Sequence, residues 1–292
     1  MVHFLEQARY SIKSLVPSVA DLLSNQALSL LVVAFLGPAS LAIFSRSRSL
    51  MTTLRTLAVK FGMILVPSAS ALQARNDLNA LRELLLRAPA IISSLVLPVL
   101  LAMSVLGDHL IRLWMGEAYI YPGLIAILAL GNYATLVQEP VWSLLSGMDT
   151  HGRIAIAKLI AACFSALLLA AGLWGFHWGL LGAAVCFALP QVIVDGVIIP
   201  VYACSVLGVS KRSYLWRIFV RPLLCSAPFA AALMTGAAVV LDHPLWAMVL
   251  FAGGGIVSGL VFLRWLIPTS TKQLLTEAFL RILRKRSVET CV

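Results

Sequence analysis

Residues 40–67 read SLAIFSRSRSLMTTLRTLAVKFGMILVP, a stretch that is apolar enough to cross a bilayer and yet contains four cations. The cations are Arg46, Arg48, Arg55 and Lys60. A guanidinium in the bilayer core costs about 2.5–3.5 kcal/mol on the insertion scale, so such residues usually face a cavity or a polar partner. The stretch therefore predicts a membrane helix that presents positive charge to a negatively charged group.

The rest of the chain has the composition of a membrane protein. Of its 292 residues 61% are hydrophobic and 12% are charged, and the mean hydropathy is +0.96. Apolar runs of about 20 residues are typical of spanning helices, whereas a membrane barrel needs alternating strands of about ten residues. We therefore predict an all-α, polytopic membrane helix bundle with about eight transmembrane helices in a single domain. The predicted spans are 14–36, 40–67, 88–107, 122–146, 154–174, 178–206, 218–241 and 245–267.

Basic residues fall in alternate connections of this predicted bundle, and the intervening connections hold only Arg112. By the positive-inside rule this places both termini in the cytoplasm and makes the number of spans even. The net charge of +10 then reflects topology and contact with lipid headgroups, including a basic cytoplasmic tail over 270–292, and does not indicate a nucleic-acid partner. The basic residues of the cytoplasmic side are Arg9, Lys13, Arg75, Arg82, Arg87, Arg153, Lys158, Lys211, Arg212, Arg217, Arg221, Lys272, Arg281, Arg284, Lys285 and Arg286.

Within the 40–67 helix, all four cations, Arg46, Arg48, Arg55 and Lys60, are candidates for binding a negatively charged headgroup. Arg48 and Arg55 rank ahead of the other two, because they lie deeper and are seven residues apart, about two turns, so they share a helix face. A helix of this length rises about 42 Å, more than the hydrocarbon core of about 30 Å, so Arg46 and Lys60 are able to reach the interfaces. A cationic stripe of this kind fits a phosphate or pyrophosphate, because the guanidinium fork donates two parallel hydrogen bonds to phosphate oxygens. The alternative is that the arginines pair with acids on other helices and only hold the bundle together.

Three acids lie within predicted spans and are the candidates for coupling a proton or cation. They are Asp21, near Asn25 in the first span, Glu139, next to Pro140, and Asp195, in the middle of the sixth span. An intramembrane carboxylate is a candidate functional residue by default. Each could equally be a counter-ion for Arg55, and the sequence leaves both roles open.

Motifs for catalysis are missing from the sequence. It contains no G-x-x-x-x-G-K-[ST] loop, no H-E-x-x-H and no G-x-S-x-G elbow, and its five cysteines form no metal-type pair. We therefore expect no enzyme activity, no cofactor and no metal site.

Three passages carry a resemblance to a known family. The first is LGPA at 36–39, which leads to Phe44, RSL at 48–50 and LVP at 65–67. The second is LWMGEAY at 113–119 followed by ILALG at 127–131. The third is a Gly-x-x-x-Gly-x-x-Gly-Ala-Ala pattern that begins at Gly175. In this order, over about 15–210, the chain resembles the C-terminal portion of bacterial polysaccharide-biosynthesis flippases, which are MATE-like members of the multidrug/oligosaccharidyl-lipid/polysaccharide flippase superfamily.

The resemblance implies the fold and the function that we expect. The chain is similar to the second bundle of such a flippase plus two terminal helices, without the first six spans. The implied function is translocation of a lipid-linked (polyprenyl-pyrophosphate) oligosaccharide across the bacterial inner membrane by alternating access, for polysaccharide or O-antigen export. The headgroup would lie in a cationic cavity with Arg48 and Arg55, and an N-terminal half or a second copy would complete that cavity.

Two other functions stay open at this point. The chain could be a truncated or split non-transporting half of such a flippase, in which the charges are structural. It could also be a MATE-type drug or cation antiporter, although such cavities need acids and aromatic residues more than arginines.

Overall fold

The computed structural model describes residues 2–175 and 178–240, and within these ranges it describes the side chains of 16, 18–175, 178–231 and 233–234. Eight α-helices cover most of the described residues, and no strand occurs among them. The predicted all-α class is confirmed. The helices are α1 (Val2–Ala74), α2 (Leu78–Met115), α3 (Leu124–Gly147), α4 (Gly152–Trp174), α5 (Leu180–Ile193), α6 (Ile199–Leu207), α7 (Lys211–Leu215) and α8 (Arg221–Val240).

Within the described part of the chain, five helical segments are long and apolar enough to cross a membrane. They are Ser18–Ala74, Leu78–Met115, Leu124–Gly147, Gly152–Trp174 and Leu180–Leu207. Helix α8 occupies most of the predicted seventh span, 218–241. The predicted eighth span, 245–267, and the basic tail, 270–292, lie outside the described residues, so the number of eight spans stays a prediction.

Helix α1 is interrupted at Gly37. Its 73 residues would rise about 110 Å as one straight helix, far more than a bilayer core. Gly37 instead adopts φ 84° and ψ 168°, a backbone conformation that glycine tolerates, and Pro38 follows it. We call residues 2–36 the first arm and residues 38–74 the second arm of α1. The predicted spans 14–36 and 40–67 fall one in each arm.

The two arms fold back on each other as an antiparallel hairpin. Arg48 of the second arm hydrogen-bonds Asn25 of the first arm, and Arg55 contacts Asp21. Of these two contacts, the one farther from Gly37 on the second arm is also the farther one on the first arm, as antiparallel helices require. Polar contacts between the arms thus fix the register of the hairpin.

The connections that carry most of the cations lie at the same end of the bundle. Arg82, at the start of α2, donates from Nε to the carbonyl oxygen of Leu207 at the end of α6, at 2.7 Å. The hydroxyl of Tyr202 donates to the carbonyl oxygen of Thr150, between α3 and α4, at 2.8 Å. These bonds bring the α1–α2, α3–α4 and α6–α7 connections together. Arg112 lies at the opposite end of α2.

Among the described residues, two π-helical turns interrupt the helices near prolines. One covers Val194–Ile198 and ends two residues before Pro200, and the other covers Trp216–Val220 and ends two residues before Pro222. A proline lacks the amide N–H and its ring crowds the carbonyl four residues earlier, which explains why each turn widens here. The first turn contains Asp195, one of the predicted intramembrane acids.

Serine side chains satisfy carbonyl groups that prolines leave without an amide partner. Pro190 has no N–H for the carbonyl of Cys186, and the Ser165 hydroxyl of α4 donates to that oxygen at 3.2 Å. Pro222 likewise leaves the carbonyl of Ile218 free, and the Ser93 hydroxyl of α2 donates to it at 2.7 Å. Bonds of this kind make helix irregularities tolerable in a bilayer and fasten neighbouring helices to each other.

Small residues allow neighbouring helices to approach closely. A Cβ on Gly147 of α3 would lie 2.6 Å from the carbonyl oxygen of Val66 in the second arm of α1. A Cβ on Gly131 would lie 2.7 Å from the Cβ of Ala188 in α5. Glycine is therefore needed at both positions, as in other closely packed membrane helices.

We expect Ser165→Ala to destabilise the protein by about 1 kcal/mol, because the carbonyl of Cys186 then loses its donor. Thermal unfolding in detergent measures the change. Ser205→Ala is the matched control, since the exposed Ser205 only bonds the carbonyl of Val201 in its own helix. Equal stability of the two variants would contradict the proposed role of Ser165.

Candidate functional site

A cavity of about 280 Å³ lies between both arms of α1, α3 and α5. Nine of its eleven lining residues are polar or charged, which is unusual for the interior of a membrane bundle. The lining residues are Asp21, Ser24, Asn25, Arg48, Met51, Thr52, Arg55, Asn132, Thr135, Phe187 and Gln191.

Arg48 and Arg55 both line this cavity, together with Thr52. The spacing of four and then three residues puts the three side chains on one face of the second arm, as the helical period requires. The arginines predicted from their seven-residue spacing thus meet in one place. Asp21, one of the three predicted acids, lines the same cavity from the first arm.

The contacts of Arg48 are with uncharged groups. Its guanidinium donates to the Asn25 side-chain oxygen, and its central carbon lies 4.8 Å from the centroid of the Phe187 ring. No carboxylate of the described residues forms an ion pair with Arg48. Arg48 therefore brings a positive charge to the cavity that neutral partners orient but do not cancel.

Arg55 is held by two carboxylates. Its Nε donates to Glu139 Oε1 of α3 at 2.7 Å, and its Nη2 lies 3.4 Å from Asp21 Oδ2. The Glu139 side chain is only 6% exposed, whereas that of Asp21 is 57% exposed. The sequence left open whether Arg55 faces a cavity or a carboxylate, and the structure shows that it does both.

A second ion pair, between Lys158 and Asp195, lies next to Arg55. Lys158 Nζ of α4 is 3.6 Å from Asp195 Oδ1, and the Thr135 hydroxyl donates to Asp195 Oδ2 at 2.6 Å. A small space of about 30 Å³, enough for one water, lies between this pair, Arg55 and Asp21. Asp195 is thus the third predicted acid to be placed next to the arginine site.

The structure corrects the placement of Lys158, which the sequence assigns to the connection between the fourth and fifth spans. Arg153 and Lys158 both lie inside α4, and the Lys158 side chain is 20% exposed, with its ammonium 5.0 Å from the centroid of the Trp142 ring. Sequence reasoning missed it because a lysine near a span end is usually an interfacial cation. An available signal was that the predicted span, 154–174, already included position 158.

Arg46 and Lys60 do not join the cavity. Both are exposed, and neither is among the lining residues. At 100° per residue Arg46 points about 160° away from Arg48, and Lys60 about 140° away from Arg55, so both lie on another face of the arm. We therefore restrict the candidate binding site to Arg48 and Arg55.

Nothing in the described residues is arranged to hold a metal ion. No group of three His, Cys, Asp or Glu side chains is close enough to do so within residues 2–175 and 178–240.

We expect Arg55→Ala to be strongly destabilising, by about 3 kcal/mol or more, because it leaves Glu139 buried without its cation. Arg48→Ala should change stability much less, since its partners are neutral. Thermal unfolding of the two variants in the same detergent gives the comparison. A larger loss for Arg48→Ala would show that the roles of the two arginines are reversed.

Comparisons with known proteins bear on the first part of the chain. Residues 1–121 match a family model described as "Polysaccharide biosynthesis protein". None of the curated proteins matches the chain. A solved structure, described as the outward-facing conformation of a multidrug resistance MATE family transporter of the MOP superfamily, aligns with 86% of this chain at 18% identity and a TM-score of 0.47. The chain spans 62% of that transporter's length. Residues 1–121, which contain Asp21, Arg48 and Arg55, are therefore similar to this polysaccharide biosynthesis family, which confirms the resemblance predicted from the motifs for this part of the chain.

Proposed function

We propose that this multi-pass membrane protein binds the pyrophosphate headgroup of a lipid-linked (polyprenyl-pyrophosphate) oligosaccharide and takes part in moving it across the bacterial inner membrane. Alternating access of the cavity and use in polysaccharide or O-antigen export belong to the same proposal. The observation that carries it is Arg48, a cation with neutral partners in a polar cavity inside a membrane bundle.

The chemistry of the cavity favours an anionic headgroup. The Arg48 guanidinium is pre-oriented by Asn25 and by the Phe187 ring, so little side-chain entropy is lost when it binds an anion. Asn132 of α3 adds a neutral donor to the cavity, since its side-chain amide has two N–H groups and one of them bonds the carbonyl of Leu128. Arginine forks bind phosphate oxygens through two parallel hydrogen bonds.

The surroundings of the cavity suit an attached lipid. Leu22 directly follows the cavity residue Asp21, and Leu57 lies two residues after the cavity residue Arg55. Both leucine side chains are largely exposed. They therefore present apolar surface at the depth of the charged site. A polyprenyl chain would stay against such surface and the bilayer while the pyrophosphate enters the cavity.

The sequence has no motif for nucleotide hydrolysis, so the proposal needs another energy source, and the intramembrane acids are the candidates. Glu139 and Asp195 are buried and already paired with cations. Asp21 is more exposed and lies at the longer distance from Arg55. We propose Asp21 as the carboxylate best placed to exchange a coupling proton or cation, with Glu139 and Asp195 as counter-ions.

We propose that the partner of this chain forms the other wall of the cavity. This partner is either an N-terminal half or a second copy of the chain.

The main alternative function is a non-transporting half in which the charges are structural, and the Arg55–Glu139 and Lys158–Asp195 pairs favour it. The second alternative is a cation or drug antiporter, because the cavity wall also contains a carboxylate and an aromatic ring.

We expect the purified protein to bind farnesyl pyrophosphate in detergent and to bind farnesol at least tenfold more weakly. Arg48→Ala should weaken farnesyl pyrophosphate binding by about ten- to a hundredfold, the usual worth of hydrogen bonds to a charged group. Isothermal titration calorimetry measures both. Arg46→Ala is the matched control, since Arg46 lies on the same arm and outside the cavity.

Three results would contradict the proposal. One is equal binding of farnesyl pyrophosphate and farnesol, which would indicate a lipid-binding surface only. Another is normal pyrophosphate binding by Arg48→Ala. The third is tighter binding of a cationic dye than of farnesyl pyrophosphate, with loss of dye binding in Asp21→Asn, which would favour the antiporter.

We also infer that both termini are cytoplasmic and that the connection after Leu207 faces the cytoplasm. Clustering of the basic α1–α2, α3–α4 and α6–α7 connections at one end of the bundle supports this orientation. Green fluorescent protein inserted after Gly208 should fluoresce, and alkaline phosphatase inserted there should be inactive. The reverse pattern would overturn the orientation.

A further inference from the structure

We propose that Lys158 is a positioning residue of the headgroup site, which neutralises Asp195 and so keeps Arg55 and Arg48 available to an anion. This inference rests on the proposed function, because it concerns how the same cavity keeps its affinity for a pyrophosphate. Lys158 itself does not line the 280 Å³ cavity and would not touch the headgroup.

The position of Asp195 shows why its charge needs a dedicated partner. Its side chain is 4% exposed and sits on the π-helical turn of the fifth membrane segment. Oδ2 accepts the hydrogen bond from Thr135, whereas Oδ1 has no hydrogen bond among the described residues. The ammonium of Lys158, 3.6 Å from Oδ1, is the ion-pair partner of this carboxylate in the described structure.

Asp195 and the headgroup site are directly connected. Arg55, Asp21, Ser24, Thr135 and Gln191 line both the 280 Å³ cavity and the small space that contains Lys158 and Asp195. No apolar layer separates the two spaces. Charges that are shielded from water, as those of Glu139 and Asp195 are, act on each other over longer distances than in water.

The charges around the two spaces cancel. We call the six side chains around these spaces the charge cluster; it has three cations and three carboxylates. The members of the cluster are Arg48, Arg55, Lys158, Asp21, Glu139 and Asp195. An anionic headgroup can be accepted without a large electrostatic penalty only while the cluster has no net negative charge.

Removal of the Lys158 ammonium makes the net charge of the cluster negative. The cluster then has three carboxylates against Arg48 and Arg55, a net charge of −1. Arg55 is the nearest remaining cation to Asp195, since both line the small space, and the unpaired carboxylate draws it inward. The cavity becomes more negative and loses affinity for phosphate. Removal of the Asp195 charge shifts the cluster toward +1, which does not harm anion binding.

A purely structural role of the Lys158–Asp195 pair predicts something different. Both single variants would then disturb the packing of α4 against the fifth segment and weaken binding together. The sign of the effect of Asp195→Asn therefore separates the two roles. Asparagine keeps the size of the side chain and the acceptor for Thr135, so it changes charge with little change in shape.

The test measures farnesyl pyrophosphate binding to the full chain in detergent, with farnesol as the uncharged control ligand. We expect Lys158→Met to weaken pyrophosphate binding about tenfold, Asp195→Asn to bind as tightly as the parent or more tightly, and Lys158→Met/Asp195→Asn to return within about twofold of the parent. Lys60→Met is the matched control, since it removes a cation from the exposed face of the second arm, and should leave binding unchanged.

Several outcomes would overturn the inference. They are parental binding by Lys158→Met, weaker binding by Asp195→Asn, and a double variant as weak as Lys158→Met. If Lys158→Met does not fold, as its thermal unfolding would show, Asp195→Asn decides alone: binding at least as tight as the parent's supports the inference, and weaker binding overturns it. Failure of the proposed function has a separate signature, in which the parent does not bind or Arg48→Ala binds normally, and it removes the inference as well.

Discussion

The ion pair between Arg55 and Glu139 is the constraint on which the rest of the site depends. A charge in a bilayer core is tolerated when a partner of opposite sign is held next to it. This single requirement sets the rotation of the second arm of α1, brings α3 against it, and draws the first arm in through Asp21. The cavity is then the space left between elements whose approach the charges have fixed. Arg48, about two helical turns away on the same face of the arm, lines the same cavity, and its contacts are with neutral groups.

Proline and serine have complementary roles in making this arrangement possible within a membrane. The widened turn before Pro200 carries Asp195. The backbone groups that such irregularities release are not left to the lipid, because hydroxyls from neighbouring helices bond them. Irregular helix geometry and polar side chains between helices therefore occur together, and the charged residues occupy the region where they coincide.

Much of the architecture follows from the sequence, and the reasons are local. Apolar runs of bilayer length predict the helices, and the seven-residue spacing of Arg48 and Arg55 predicts that they share a face. Pairing across helices does not follow, because the partners of Arg55 lie 34 and 84 positions away and meet only through packing. Lys158 is the clearest miss. Lys158 lies near a span end, which is typical of a cation at the membrane interface. Only its ion pair with Asp195, in the helical segment that packs against α4, shows that its ammonium lies inside the bundle. The count of four cations in residues 40–67 also overstated the site, since two of them face elsewhere.

The hairpin of α1 has a mechanical consequence. Arg48 and Arg55 are separated by about 10.5 Å along the second arm, and the groups they contact on the first arm, Asn25 and Asp21, by about 6 Å. Long flexible side chains bridge this mismatch in one alignment only. Sliding one arm by a helical turn would break both contacts at once. The two contacts therefore hold the hairpin in a single register, although the chain reverses at a glycine that by itself favours no particular alignment of the arms.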